Sequence, residues 1–237
     1  MKTIAGEEGT VYLIHPPLLE AFWSERGNGA ALSLEKHAGF SFISLAAEKR
    51  ELCAEAFALL QKQFGSKTIR RGRLTPARLL FNLLQAKGKM FSCAESCTGG
   101  LIAAGLTDLP GSSKVFWGGL VVYANEAKAA LLGVEKRMIL EKGAVSEEVA
   151  RALAENTLAK SRTDVSLAVT GIAGPAGGTV EKPVGTVWLA AAITNGVTRA
   201  KQCLFQGARD EIRGKAVAAG ILLVESVLFG EENLDSF

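Results

Sequence analysis

Four short stretches of this chain hold the residue types that nucleophilic attack on a carbonyl and the holding of an anion use. The first is Ala94-Glu95-Ser96-Cys97-Thr98-Gly99-Gly100. It sets a serine between an apolar run and the start of a helical pattern. A helix N-terminus presents unpaired backbone N–H groups and a partial positive charge. Both suit the oxyanion formed when a serine attacks a carbonyl carbon. A plain helix cap at Ser96 or Thr98 fits the same pattern. The second stretch is Val122-Tyr123-Ala124-Asn125-Glu126-Ala127-Lys128. Asn125 reads as an N-cap, which puts Lys128 at the third helical position. There the helix dipole, together with burial, would lower the pKa of its ammonium, as a lysine general base requires. Tyr123, at the end of the preceding strand, could bridge lysine and serine. A solvent-facing helix lysine also fits the spacing.

The third stretch is Thr170-Gly171-Ile172-Ala173-Gly174-Pro175-Ala176-Gly177-Gly178, followed by Lys182-Pro183-Val184-Gly185. It comes directly after an apolar run, and glycine lets backbone approach a ligand closely. It matches neither the P-loop nor the dinucleotide-binding glycine pattern. It reads as a ligand loop or as a plain flexible connection. The fourth, Phe205-Gln206-Gly207-Ala208-Arg209-Asp210-Glu211-Ile212-Arg213, places Arg209 and Arg213 four apart on one helix face. Arginine beside a helix N-terminus can hold a phosphate; a surface ion-pair lattice with Asp210 and Glu211 is the alternative. The candidate ligand contacts are therefore Thr98, Gly99, Gly100, Thr170, Gly171, Ala173, Gly174 and Arg209.

His15 and His37 lie outside all four stretches, so a serine nucleophile would need another base, and lysine is the known substitute. Cys97 is the rival nucleophile, but neighbours at a helix start point in different directions and only one can face a crevice. Cys53, Cys93 and Cys203 read as small core residues. The cysteine spacing gives no paired CxxC and no zinc cluster. No His/Asp/Glu cluster accompanies the four stretches, so neither a metal nor a cofactor is expected.

These stretches need a frame to bring them together. The 237 residues are 48% hydrophobic with a formal charge of +3, which supports a buried core and excludes a disordered chain. No apolar run reaches the length of a membrane span, and Met1–Thr10 does not read as a signal peptide. The expected location is the cytoplasm, with free thiols and no membrane partner. Residues 1–72 read as a small α+β module, with a strand at Phe40–Leu45 and a helix at Glu48–Phe64. Lys67, Arg70, Arg71 and Arg73 read as a solvated linker, with a nucleic-acid footprint as the alternative. From residue 73 the pattern turns regular. Helices are expected from Thr75, over Gly99–Leu106, over Glu126–Leu132, from Ser146, and over Ala208–Leu228. Strands are expected over Lys89–Ala94, Val115–Tyr123, Val165–Thr170, Gly185–Ile193 and Arg199–Phe205. The fold class is α/β: a three-layer α/β/α domain with a mixed sheet, over 73–237, preceded by the small module. The strand-to-helix turns, where the four stretches fall, form the ligand crevice in such folds.

Residues 75 to about 229 closely resemble the C-terminal domain of the competence-damage-inducible protein CinA, the nicotinamide mononucleotide amidase family. The resemblance is carried by the stretches quoted above at Ser96, at Lys128 and after Thr170. Leu109-Pro110-Gly111-Ser112-Ser113, Gly143-Ala144-Val145-Ser146 and Lys182-Pro183-Val184-Gly185-Thr186-Val187 add to it. It implies hydrolysis of nicotinamide mononucleotide to nicotinic acid mononucleotide and ammonia, within pyridine nucleotide recycling. It implies Ser96 as nucleophile, Lys128 as base, Tyr123 assisting, a nucleotide as partner and a homodimer. A non-catalytic nucleotide-binding or scaffolding module of the same family is the rival reading. The chain departs from the family at Ala124, where a hydroxyl residue is usual, and at Ala208, where Asp or Asn is usual. Phe40–Phe64 faintly resembles the KH-type segment that precedes the amidase in full-length relatives. No GXXG loop accompanies it, so nucleic-acid binding is not expected.

Overall fold

A computed structural model describes residues 5–14, 16–26 and 29–230. The chain splits into two compact units, divided between Thr75 and Pro76. His15 lies outside the described residues.

The first unit runs β1 (Ala5–Tyr12), α1 (Pro16–Arg26), β2 (Ala31–His37), β3 (Phe40–Ala47), α2 (Arg50–Phe64) and β4 (Ile69–Arg71). Its sheet has the order β2-β3-β1-β4, with antiparallel neighbours throughout. This is the split βαβ arrangement. The strand and helix read from the sequence are both there, the helix starting two residues later than expected. β1, α1, β2 and β4 complete a four-stranded module around them. β1 escaped notice because its first half is glycine and glutamate. It packs because Gly9 has no side chain: a Cβ there would sit 2.4 Å from the Phe57 ring of α2. The basic run is not a solvated linker. Ile69–Arg71 pairs with β1 as an edge strand. Arg71 is paired with Glu7 and lies over the Phe57 ring, while Arg73 is paired with Glu35 and lies 4.0 Å over Phe42. The residues around these arginines supply carboxylates and ring faces, so the charge is spent inside the module.

The second unit contains α3 (Pro76–Lys87), β5 (Phe91–Glu95), α4 (Leu101–Thr107), β6 (Phe116–Val121) and α5 (Asn125–Leu132). It continues with α6 (Lys136–Lys142), α7 (Glu147–Ser161), β7 (Val165–Gly171), β8 (Thr186–Ile193), β9 (Arg199–Leu204) and α8 (Arg209–Leu228). The sheet order is β6-β5-β7-β8-β9. β6, β5 and β7 are parallel, and β8 and β9 run antiparallel to their neighbours, so the sheet is mixed. Strands β5 and β7 are buried almost throughout, as expected where helices cover both faces. On one face Val149, Ala150, Leu153 and Ala154 of α7 form a core with Ala94, Ala168 and Ala190 of the sheet. On the other, α8 lies along β7 and β8 with α3 and α4 beside it. α7 begins as its sequence says: Ser146 is the N-cap and accepts from Val149 N–H, with Glu147 and Glu148 in the first turn. α6 is an element the sequence reading lacked.

Candidate active site

The three parallel strands β5, β6 and β7 all run out at one edge of the sheet. Ser96 follows β5, Tyr123 follows β6 by two residues, and the glycine loop follows β7. The turn after β9, which opens α8, lies at the same edge because β9 runs antiparallel to β8. All four chemical stretches therefore meet there, outside the strand ends, where ligands bind in sheets of this kind.

Ser96 is 7% exposed and continues the β5 ladder, its N–H donating to Val169 O at 2.9 Å. Neither Ser96 nor Thr98 caps the following helix; Gly100, in the left-handed region, does. The helix donors expected to serve an oxyanion are occupied. The fully buried Glu95 accepts from Gly100 N–H (2.9 Å), Ile102 N–H (3.1 Å) and Ala103 N–H (2.9 Å). Sequence reasoning gave Glu95 no role. The available signal was an acid closing an apolar strand just before a helix start, where the macrodipole favours an anion. Cys97 is also buried, and burial pushes its thiol up to about 11, so it stays a thiol at neutral pH.

Lys128 is 1% exposed, so it is no surface lysine. Its helix starts one residue earlier than expected. Ala124 is the N-cap and Asn125 the first helical residue, which makes Lys128 the fourth. Asn125 does not cap because its backbone is already helical. Lys128 Nζ lies 3.1 Å from Ser96 Oγ, 2.9 Å from Val122 O and 3.1 Å from Tyr123 O. Carbonyl oxygens only accept. A neutral amine has two hydrogens and one lone pair, so the two carbonyls take the hydrogens and the lone pair is left for the serine hydroxyl. Burial lowers the pKa of Lys128, against smaller opposing effects of Cys97 and Glu126.

Tyr123 does not bridge lysine and serine. Its side chain is 58% exposed and its hydroxyl accepts from Arg209 Nη2 at 2.9 Å. Arg209 Nη1 donates to Gly174 O at 2.7 Å, so one exposed arginine joins the turn after β6 to the glycine loop. Arg213 faces elsewhere, donating to Cys97 O (3.1 Å) and Thr98 O (2.7 Å). Glu211 accepts from Ala208 N–H rather than pairing with either arginine. Thr98 is fully buried, and Gly99 and Gly100 line the outer side of the same turn. Thr170 is buried and donates to Ala144 O at 2.8 Å. Gly171 ends β7, and Ala173 is buried beside Gly174. Lys182 holds the Gly143–Val145 loop from the other side through Lys142 O (2.9 Å) and Val145 O (2.7 Å). Among the described residues no group of His, Cys, Asp or Glu could hold a metal.

A model of the CinA C-terminal domain matches residues 74–228. The chain belongs to this family. A CinA-like protein of Geobacter sulfurreducens is 48% identical over 166 residues, covering 70% of this chain and 40% of the relative. One from Geotalea uraniireducens is 55% identical over 132 residues, covering 56% of this chain and 31% of the relative. The chain thus spans less than half the length of these curated relatives. The competence/damage inducible protein CihA of Agrobacterium tumefaciens has a similar structure, with TM-score 0.62 and 39% identity, covering 68% of this chain and 98% of that one. Ala124 and Ala208, the two positions at which the resemblance implied other residues, are both helix N-caps without a side-chain cap bond. The departures fall on helix starts, not on the groups around Ser96. No helix among the described residues is long and apolar enough to cross a membrane.

Proposed function

We propose that the CinA domain of this chain hydrolyses the carboxamide of nicotinamide mononucleotide to the acid, releasing ammonia, with Ser96 as nucleophile and Lys128 as base. The observation that carries this reading is the setting of the Lys128 amine. It is buried, held by two carbonyls, and 3.1 Å from the serine hydroxyl. That arrangement suits proton uptake, because burial disfavours the ammonium and the two carbonyls leave the lone pair aimed at Ser96.

In this reading the amine takes the Ser96 proton as Oγ bonds to the carboxamide carbon. The carbonyl π pair moves to oxygen, then returns as the C–N bond breaks, and the Lys128 proton leaves with ammonia. A water molecule then attacks the ester carbon, giving a proton to Lys128, and as the bond from carbon to Ser96 Oγ breaks Lys128 returns that proton to Oγ and frees the serine. Arg209 takes the substrate phosphate. Its present partners, a phenol and a carbonyl, are neutral and exchangeable for an anion that bonds it more strongly. The test is ammonia release when the chain is incubated with nicotinamide mononucleotide, with Ser96→Ala as control. Binding without ammonia release from this or related carboxamides would make the domain a nucleotide-binding module instead.

A further inference from the structure

The loop that joins α6 to α7 has its backbone acceptors taken by side chains. Lys142 O and Val145 O accept from Lys182 Nζ at 2.9 and 2.7 Å. Between them, Gly143 O accepts from Ser146 Oγ at 2.9 Å and Ala144 O from Thr170 Oγ1 at 2.8 Å. Lys182 makes two of these four bonds and brings the one charge among them. The acids of the neighbouring helix, Glu147 and Glu148, are paired with Arg151 and Lys142, so the ammonium is spent on neutral backbone. A hydrogen bond from an ionised donor is roughly twice as strong as a neutral one. The lysine also reaches from a fixed base. Thr179 N–H donates to Lys182 O at 2.9 Å, and Lys182 N–H donates to Thr179 Oγ1 at 3.1 Å. Gly143 makes room for the ammonium: a Cβ there would lie 3.1 Å from Nζ.

This clasp stands beside the reacting pair. Thr170 directly follows Val169, whose carbonyl takes the Ser96 N–H, so the loop is tied to β7 one residue from the serine's own partner. Helices α5, α6 and α7 pack on one another, and Ala127 and Ala144 both lie against the core of that face. The loop is therefore on the side of the sheet from which Lys128 reaches Ser96. Ala144 and Val145 are small, apolar and only half-buried, which suits a wall for a flat ring.

We infer that Lys182 is a positioning residue: by clasping loop 143–145 to the glycine loop it sets the wall of the crevice against which the carboxamide-bearing ring lies. The inference rests on the amidase reading for the identity of that ring. It gives Lys182 no proton to carry and no contact with the reacting atoms. With the clasp removed, the two loops part in a share of the molecules, and the joined share alone binds. The apparent dissociation constant rises by the reciprocal of the joined share, so a share of about one tenth weakens binding about tenfold.

The test compares Lys182→Met and Lys182→Arg in the full chain. Hydrolysis of nicotinamide mononucleotide and of its phosphate-free riboside is measured beside phosphonylation of Ser96 by a small alkyl fluorophosphonate. In that reaction Ser96 Oγ bonds to phosphorus, fluoride leaves and Lys128 takes the serine proton. Lys182→Met is expected to raise KM about tenfold for both substrates alike, since both carry the ring, with kcat within about threefold. Phosphonylation should stay within about twofold, because the reagent has no ring to place. Lys182→Arg keeps the charge and the donors and should stay within about threefold of wild type in KM. An unchanged KM in Lys182→Met overturns the inference, whatever happens to Tm, and leaves the lysine a structural staple. So does a loss confined to the phosphate-bearing substrate, a matched slowing of phosphonylation, or a Lys182→Arg defect as large as that of Lys182→Met. If Lys182→Met does not fold, Lys182→Gln is judged by the same split. Where the wild type binds the mononucleotide but releases no ammonia, a dissociation constant about tenfold weaker in Lys182→Met leaves this inference standing and removes the amidase reading.

Discussion

Ser96, in the turn after β5, and Lys128 of α5 are nearly shut from solvent; two backbone carbonyls hold the lysine amine, and the Glu95 carboxylate holds the backbone that follows the serine. Across the same edge, Tyr123 and Arg209 stand exposed, joined to each other and to Gly174 by single hydrogen bonds. In the proposed reading the reacting atoms sit where low dielectric strengthens each interaction and shifts the lysine. The recognition residues sit where their present partners can be exchanged. The contrast teaches that the buried pair is set in place without a ligand, whereas in the proposed reading selectivity falls to side chains that must let go of one another.

Substitutions on the two sides should behave differently. The largest effects belong to the buried pair. Ser96→Ala and Lys128→Arg should each lower turnover by about 10⁴ or more, the second although charge is kept, because arginine cannot take a proton. Near-normal turnover in Lys128→Arg would show that the lysine acts only as a cation. The base must be neutral, and burial lowers its pKa. The rate kcat/KM should therefore rise with pH and level off below the ordinary lysine value of 10.5. A limb at or above that value would mean that burial does not govern the base. Next comes Arg209→Ala, expected to raise KM for the mononucleotide by roughly 10–100-fold through loss of charged hydrogen bonds, with little effect on the riboside. Equal losses would place Arg209 in folding rather than recognition. Cys97→Ala should keep activity within about threefold, since a thiol held up near 11 contributes no thiolate at neutral pH; loss of turnover there would shift the nucleophile to sulfur. The smallest effect lies at the uncapped helix start: Ala208→Asn should stabilise the second unit by about 0.5–1 kcal/mol, read as a Tm rise of about 2–4 °C.

The second unit was legible because its strands are continuous apolar runs and its turns are marked by glycine. Ser96 and Tyr123 could be placed at strand ends, and Lys128 near the start of a helix, from that punctuation alone. What they do there was only partly readable. The Ala124 cap was hidden by the better-looking Asn125, and the direction of the Tyr123 hydroxyl depends on Arg209, which is 86 residues away. Glu95 and Arg213 act through backbone groups, and such partners leave no side-chain pattern in a sequence. The first unit was largely illegible. β1 owes its place to the absence of a side chain at Gly9, and β4 is a strand of three residues, two of them arginines.

An anion drawn from solution fills a helix end only in proportion to its concentration. Glu95 is bonded into the chain next to Ser96, so the start of α4 is occupied at any ionic composition, as a tethered ligand occupies its site. Free phosphate or sulfate finds no vacancy behind the serine, and in the proposed reading it competes at Arg209. Inorganic anions should therefore act as competitors of nucleotide binding while leaving the reactivity of Ser96 toward a neutral carboxamide untouched.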